Sequence, residues 1–439
     1  LNFIEAVQFI DRSYSYGTKL DLEHMKILLQ ILGNPQNQLK FIHIAGTNGK
    51  GSTSSFIHSM LKAEGYQVGL FTSPHLHCYT DRIRINGVNI SKEDFARYTS
   101  MVEETIAPFY EQGFNHPALF DIVTLVAMMY FAKENVDYVV LEVGLGGLND
   151  ATNIISQSLA SVITPIGIDH VDILGTDLKQ IAYHKAGIIK PQGRVISTWQ
   201  DPIVEEVLVE TAAQQNASLC LLRKEQISII HQDFKEQIFH LNTPYGILRD
   251  CKIRMIGDHQ IFNGALAALT LIILREDQIL SISNESIYQG LYENYWAGRL
   301  ELLQDNPLIL IDGAHNVQGS EVLASALTKY FNNKKITLII GMLKDKDVDG
   351  VLSNLIPFAH KVIFTKPNNP KAMDPQELAN RVNFFGKETY ITQTIEESVV
   401  LALENASLDE ITIFTGSLYL IGDARKIITE FIENRQEAS

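Results

Sequence analysis

Apolar positions along this chain follow two rhythms. Short runs rich in β-branched and aromatic residues, Phe41 to Ala45, Val68 to Phe71, Tyr138 to Val143, Ala160 to Pro165 and Arg194 to Thr198, read as strands buried on both faces. Between them, Ser52 to Glu64, Lys92 to Tyr110, Phe120 to Glu134 and Leu178 to Ile188 carry apolar residues at helical spacing. Repetition of this order predicts a parallel sheet with helical crossovers. From Ser218 to Met255 the pattern turns to short alternating segments, with Phe239-His240-Leu241 and Tyr245-Gly246-Ile247 flanking an Asn-Thr-Pro turn, which predicts a β-hairpin appendage. A helix, Gln260 to Leu274, follows.

A second α/β series begins near Leu308, with strands Leu308 to Ile311, Ile336 to Gly341, Lys361 to Thr365 and Glu410 to Thr415 and helices Gly319 to Phe331 and Leu418 to Asn434. The small-residue break at Trp296-Ala297-Gly298-Arg299 is the expected join between two domains, 1–297 and 298–439. No low-complexity segment and no long repeat interrupts either series.

Length and composition sharpen this picture. At ~150 residues per domain, 439 residues suit two or three domains, and 46% apolar with 20% charged residues argues against disordered, collagen-like or coiled-coil chains. With 36 basic and 51 acidic residues the formal charge is -15, which disfavours nucleic-acid and anionic-membrane partners, so an anionic ligand needs a local site. The cysteines Cys78, Cys220 and Cys251 are too separated for a metal pair and too few for a disulfide framework. With no signal-like N-terminus and no apolar run near the ~20 residues that span a bilayer, the expectation is a soluble cytoplasmic protein.

The candidate chemistry starts after the first strand. Gly46-Thr47-Asn48-Gly49-Lys50-Gly51-Ser52 places glycines, a lysine and a hydroxyl at a helix N-terminus, the composition of a phosphate cradle. Backbone N–H groups and the helix dipole face an anion, Lys50 reaches terminal phosphates and a hydroxyl can meet Mg²⁺. Gly51 separates Lys50 from Ser52, so the spacing departs from the standard Walker pattern. The expected class is therefore α/β: a P-loop-type doubly wound parallel sheet with a small β appendage, then a smaller Rossmann-like α/β domain.

The string GTNGKGS resembles the Mur-ligase superfamily, specifically folylpolyglutamate synthases and bifunctional dihydrofolate synthases. Matching motifs follow in the same order: Thr72-Ser73-Pro74-His75, Arg82-Ile83, Leu141-Glu142-Val143-Gly144-Leu145-Gly146-Gly147, Asp150-Ala151-Thr152-Asn153, Asp169-His170, His184-Lys185-Ala186-Gly187-Ile188-Ile189, His259-Gln260 with Asn263, Gly298-Arg299-Leu300-Glu301, Asp312-Gly313-Ala314-His315-Asn316 and Gly416-Ser417-Leu418-Tyr419-Leu420. The resemblance implies ATP-dependent joining of L-glutamate to the γ-carboxylate of a folate through an acyl phosphate, in a monomer. It also implies a Mur-like ATP-binding domain followed by a glutamate ligase domain that close on ATP and folate.

Residue by residue, the resemblance makes Ser73, Glu142, His170 and Lys185 ligands of Mg²⁺ at two sites, Lys185 as a carbamate formed with CO₂. It gives Arg299 and Asp312 to the nucleotide phosphate and ribose, Asn263 to the adenine, and His315 to the γ-phosphate and glutamate. Arg82 and Ser417 become substrate contacts. Taken alone, His170 would be a packed histidine, and His315 and Ser417 would be loop polars, while for Glu142 pairing with a lysine is the lesser alternative to ligation. Asp121 where the family has Glu, and Leu148 where bifunctional members often have Arg, depart from the pattern and leave dihydrofolate synthesis an open second activity. The same superfamily contains peptidoglycan Mur ligases, which usually carry an additional N-terminal nucleotide-sugar domain; with about forty residues before the phosphate loop here, and with the strings SPH and DGAHN, the expectation is a folate enzyme. A nucleotide-binding scaffold without ligation is the reading from a different class.

Overall fold

A computed structural model describes residues 1–13, 22–111, 116–404 and 406–437. Contacts divide them into two units. The first comprises 1–231, 238–253 and 260–294, and the second 232–237, 254–259 and 295–439.

The first unit is built on eight strands: β1 (Phe41–Ala45), β2 (Val68–Phe71), β3 (Ile83–Ile85), β4 (Val88–Asn89), β5 (Tyr138–Glu142), β6 (Ala160–Ile163), β7 (Arg194–Thr198) and β8 (Ser218–Leu222), in the order β4-β3-β2-β5-β1-β6-β7-β8. Strands β2, β5, β1, β6, β7 and β8 pair in parallel, while β3 and β4 add antiparallel at one edge. β1 is buried along its whole length, as its unbroken apolar run requires of a central strand covered on both faces. Parallel register sets Phe41, Ala45, Val139, Leu141, Ile163 and Val195 on one face, which is closed by Phe9, Met25, Leu29, Phe95 and the buried helix Leu119–Lys133 over β2 and β5 and by Ile181, Ala186, Val204 and Leu208 over β6 and β7. Ser218–Leu222, expected in the appendage, instead extends the large sheet. The appendage proper is a three-stranded sheet of β9 (Ile227–Gln232), β10 (Gln237–Thr243) and β11 (Gly246–Ile253) in the order β11-β10-β9.

The second unit carries β12 (Glu301–Asp305), β13 (Leu308–Ile311), β14 (Lys335–Ile340), β15 (Lys361–Phe364), β16 (Glu388–Ile391) and β17 (Glu410–Thr415), ordered β12-β13-β17-β14-β15-β16. All pairs are parallel except β12 with β13. The edge strands β12 and β16 escape the sequence pattern because β12 is only half-buried and β16 is exposed throughout, so neither displays an apolar run. No helix among the described residues is long and apolar enough to cross a membrane.

Candidate active site

Strand β1 ends at Ala45 and the chain turns through Gly46–Gly49 into the helix Lys50–Ala63. Gly49 caps that helix at φ 85°, in the left-handed region, and a Cβ there would lie 2.5 Å from Asn263 Oδ1. Glycine therefore satisfies a conformational and a steric demand together. It also places Asn263, buried and donating to Gln260 Oε1 at 3.1 Å, beside the phosphate loop. The loop is held from the next strand: Thr47 N donates to Pro165 O at 2.9 Å, and Thr47 Oγ1 is 3.0 Å from both Gly167 O and Gly167 N. Asn48 N donates to Pro165 O at 3.3 Å, while half-buried Lys50 donates to Thr47 O at 3.3 Å. Gly51 and Ser52 form the first turn, with Ser52 buried.

Register carries the neighbouring groups to the same edge. Ile44 in β1 lies opposite Glu142 in β5, whose carboxylate, 3% exposed, accepts from Ser73 N at 3.1 Å. Ser73 and Glu142 are thus brought together beside the phosphate loop, both as hard oxygen donors. Lys185, in the helix Leu178–Ala186, is 4% exposed and donates to Gly46 O at 2.7 Å. Burial, reinforced by the nearby charge of Lys50 and opposed by Asp169 and Asp150, lowers its amine to about 7. His170 lies after β6 in a left-handed conformation with its side chain 46% exposed and 3.8 Å from Asp169. Among the described residues no three His, Cys, Asp or Glu side chains converge on a point. A Mg²⁺ site here needs Ser73, a modified Lys185, water or phosphate oxygens to complete it, a donor set that suits this ion.

Behind these groups lies a buried polar layer. Asp150 accepts from Leu145 N at 2.8 Å and from Thr152 N at 3.0 Å, and Thr152 Oγ1 in turn meets His43 Nε2 at 2.9 Å. Burial raises the Asp150 carboxyl against these donors and holds His43 neutral. His43, inside the apolar strand run, gave no sign of this role in the sequence. Its partner Thr152 lies in the quoted Asp150–Asn153 motif.

The segment after β2 carries Arg82. The guanidinium Nε donates to His75 Nδ1 at 2.9 Å, and the Tyr79 ring lies beneath it with its centroid 5.5 Å away. Burial and the Arg82 charge lower His75 to about 4, so its ring stays a neutral acceptor. Tyr79 donates to Asp11 at 2.6 Å, tying the first helix, Phe3–Ser13, to this segment. Asp121 accepts from Ala118 N at 2.8 Å and so caps the helix Leu119–Lys133.

In the second unit, parallel pairing of β13 with β17 sets Asp312–His315 beside Gly416-Ser417, and Gly416 N donates to Ala314 O at 3.0 Å. Asp312 is buried and accepts from Leu300 N at 2.8 Å and Ala314 N at 2.9 Å. Burial raises its carboxyl, opposed first by the charge of Arg299. Arg299 itself donates to Gly298 O at 3.1 Å. His315 Nδ1 lies 2.7 Å from Gly313 O, an acceptor, so this nitrogen donates. Ser417 is buried and accepts from Tyr419 N at 3.2 Å at the start of the helix Leu418–Glu437. The four residues Arg299, Asp312, His315 and Ser417 therefore sit in joined loops of one sheet edge.

Known proteins match this arrangement. Residues 44–272 match the Mur ligase middle domain, and residues 298–418 match the Mur ligase glutamate ligase domain. A dihydrofolate synthase/folylpolyglutamate synthase of Bacillus subtilis is 34% identical over 96% of this chain and 98% of its own length. A folylpolyglutamate synthase of Lacticaseibacillus casei is 32% identical over 98% of this chain and 99% of its own. The structure of Mycobacterium tuberculosis folylpolyglutamate synthase complexed with ADP and AMPPCP superposes with a TM-score of 0.87 at 30% identity, covering 97% of this chain and 99% of that one.

Proposed function

Because the chain belongs to the Mur ligase family, and within it to the folylpolyglutamate and dihydrofolate synthases, we propose that it joins the γ-carboxylate of a folate to the amine of L-glutamate. ATP is the activating substrate. A carboxylate oxygen of the folate attacks the γ-phosphorus, the bond to ADP breaks and an acyl phosphate forms. The glutamate amine then attacks the acyl carbon, the tetrahedral oxyanion collapses with loss of phosphate, and the nitrogen gives up one proton. The observation that carries the reading is the convergence at one sheet edge of the phosphate loop, the Ser73–Glu142 pair and buried Lys185 on Gly46 O.

In this reading the 46–52 loop and Lys50 cradle the polyphosphate. Asn263 meets the base, and Arg299 and Asp312 address phosphate and ribose. Mg²⁺ held by Ser73, Glu142, His170 and carbamylated Lys185 would neutralise charge on the phosphates. Lys185 suits carbamylation because an amine lowered to about 7 is substantially neutral near neutral pH. Neutral R–NH₂ adds to CO₂, forming one N–C bond and releasing one proton, which turns the neutral amine into an anionic carbamate. Arg82, oriented by His75, receives a folate carboxylate or pterin edge, and His315 and Ser417 receive glutamate.

The test is turnover of purified protein with Mg²⁺, ATP, tetrahydrofolate and labelled glutamate. Labelled folate with one added glutamate, and ADP release requiring both co-substrates, are expected; ADP release indifferent to them sinks the reading. The B. subtilis relative's name carries a dihydrofolate synthase activity too. Substituting dihydropteroate tests that second activity, which predicts labelled dihydrofolate.

A further inference from the structure

Lys190 has no place in the reaction as assigned, yet it is a lysine only 9% exposed, and no described carboxylate pairs with it. Burial lowers its amine to about 8, so the fold carries an unfavourable cation here. Its ammonium donates to Asn153 Oδ1 at 2.8 Å and to Asn153 O at 3.2 Å. At the other end of the same side chain, Asn153 Nδ2 donates to Leu148 O at 2.9 Å and to Gly187 O at 3.0 Å. Those two carbonyls belong to the loop after Glu142 and to the C-terminal end of the Lys185 helix.

We propose that Lys190 is a positioning residue: by donating to Asn153 it fixes that amide as a bridge between Leu148 and Gly187, and so holds Lys185 against the phosphate loop. The proposal rests on the ligase reading above. An asparagine amide fits its pocket in two orientations of nearly equal shape. One points Nδ2 at both carbonyls; the other sets Oδ1 against them. An ammonium group donates and never accepts, so Lys190 admits only the first. The bridge closes on a joint with little slack. Leu148 N donates to His184 O at 2.7 Å, and a Cβ on Gly147 would fall 2.7 Å from His184 O. From this joint the helix carries Lys185 to Gly46 O at 2.7 Å. A loosened bridge therefore displaces Lys185, although neither Lys190 nor Asn153 is itself among the groups assigned to ATP.

The experiment compares Lys190→Met, Lys190→Arg and Asn153→Asp with the unaltered protein. Measurements are ligation kinetics, affinity for a non-hydrolysable ATP analogue, and hydrogen exchange of residues 184–188. Lys190→Met should lose at least tenfold in kcat, keep analogue affinity within threefold and exchange faster in that segment. Lys190→Arg, also a pure donor, should recover kcat to within threefold of the original. Asn153→Asp gives Lys190 a better ion-pair partner but turns an acceptor oxygen, in place of Nδ2, toward the two carbonyls, so it should lose as much as Lys190→Met. Mere neutralisation of a buried charge predicts the opposite for that variant. A kcat within twofold of the original in Lys190→Met or Asn153→Asp, or equal losses in Lys190→Met and Lys190→Arg, overturns the proposal. If Lys190→Met does not fold, the Asn153→Asp and Lys190→Arg pair decides it. Should the unaltered protein show no ligation, the ligase reading fails by itself, and unchanged exchange in the variants still refutes the bridge.

Discussion

Replacing Lys185 by methionine should abolish ligation and at the same time stabilise the apoprotein. The amine sits at about 7 against the usual 10.5 of a free lysine, on a residue only 4% exposed. At ~1.4 kcal/mol per unit, holding it folded at pH 7 costs about 4 kcal/mol relative to a lysine free in the unfolded chain. Methionine removes that cost, and loses the bond to Gly46 O, for about 1–2 kcal/mol. A net gain of about 2–3 kcal/mol remains. The sign follows from proton counts. Between pH 7 and 10.5 the unfolded chain binds more protons at this lysine than the folded one, so the penalty is full below pH 7 and vanishes above 10.5. By pH 10 it has shrunk to about 1 kcal/mol, and the advantage of the variant should shrink with it. Urea midpoints of both proteins, followed by circular dichroism at pH 7 and pH 10 in chelator and CO₂-free buffer, measure this directly. Lys190 and the other groups titrate in both proteins and cancel in the difference. A variant less stable at pH 7, or an advantage independent of pH, refutes the burial argument.

Lys50→Ala should lower turnover by about a hundredfold or more, a few kcal/mol of phosphate stabilisation, with an unchanged melting temperature because half-buried Lys50 bonds, among the described residues, to Thr47 O alone. A twofold change in the ligation assay refutes that role. Gly49→Ala should cost about 1–2 kcal/mol of stability and raise the KM for ATP, since its Cβ displaces Asn263; an unchanged KM separates the residue from the nucleotide. Burial lowers His58, His75 and His259 to about 4. Because their folded values lie below the unfolded one, stability present above pH 6.5 is lost as pH falls toward 4, and urea midpoints should drop between pH 7 and 5. His58→Gln should flatten that drop; a slope identical to the original counts against burial as its cause.

Motifs anchored at strand ends were the legible part of this chain. Phe41–Ala45, Leu308–Ile311 and Glu410–Thr415 show as unbroken apolar runs because parallel strands covered on both faces admit little else. Glu142 and Asp312 stand out because a carboxylate at the end of such a run has no packing reason to be there. The misassignment of Ser218–Leu222 has the same physics in reverse: at the sheet edge its residues are mostly half-buried, so its pattern resembles an appendage strand. His43 and Lys190 meet their partners Thr152 and Asn153 across the fold, and a bond between residues 37 apart, such as Lys190 to Asn153, leaves no periodicity to read.

Strand order explains why residues spread from 46 to 185 meet at one sheet edge. β1 connects through its helix to β2, but its neighbours in the sheet are β5 and β6, so the chain departs on one side and later returns on both. The loops leaving β1, β5 and β6 therefore open side by side at the carboxyl ends, where such sheets leave a crevice. The loop after β2 reaches the same edge through Ser73 N on Glu142, and the helix following β6 comes back through Lys185 on Gly46 O. Each contact uses a backbone group of one loop and a side chain of another. A change that keeps these side chains but shifts one strand's register would thus separate Ser73 from Glu142 or Lys185 from Gly46. In the second unit the adjacency of β13 and β17, a hundred residues apart, applies the same logic to Asp312, His315 and Ser417.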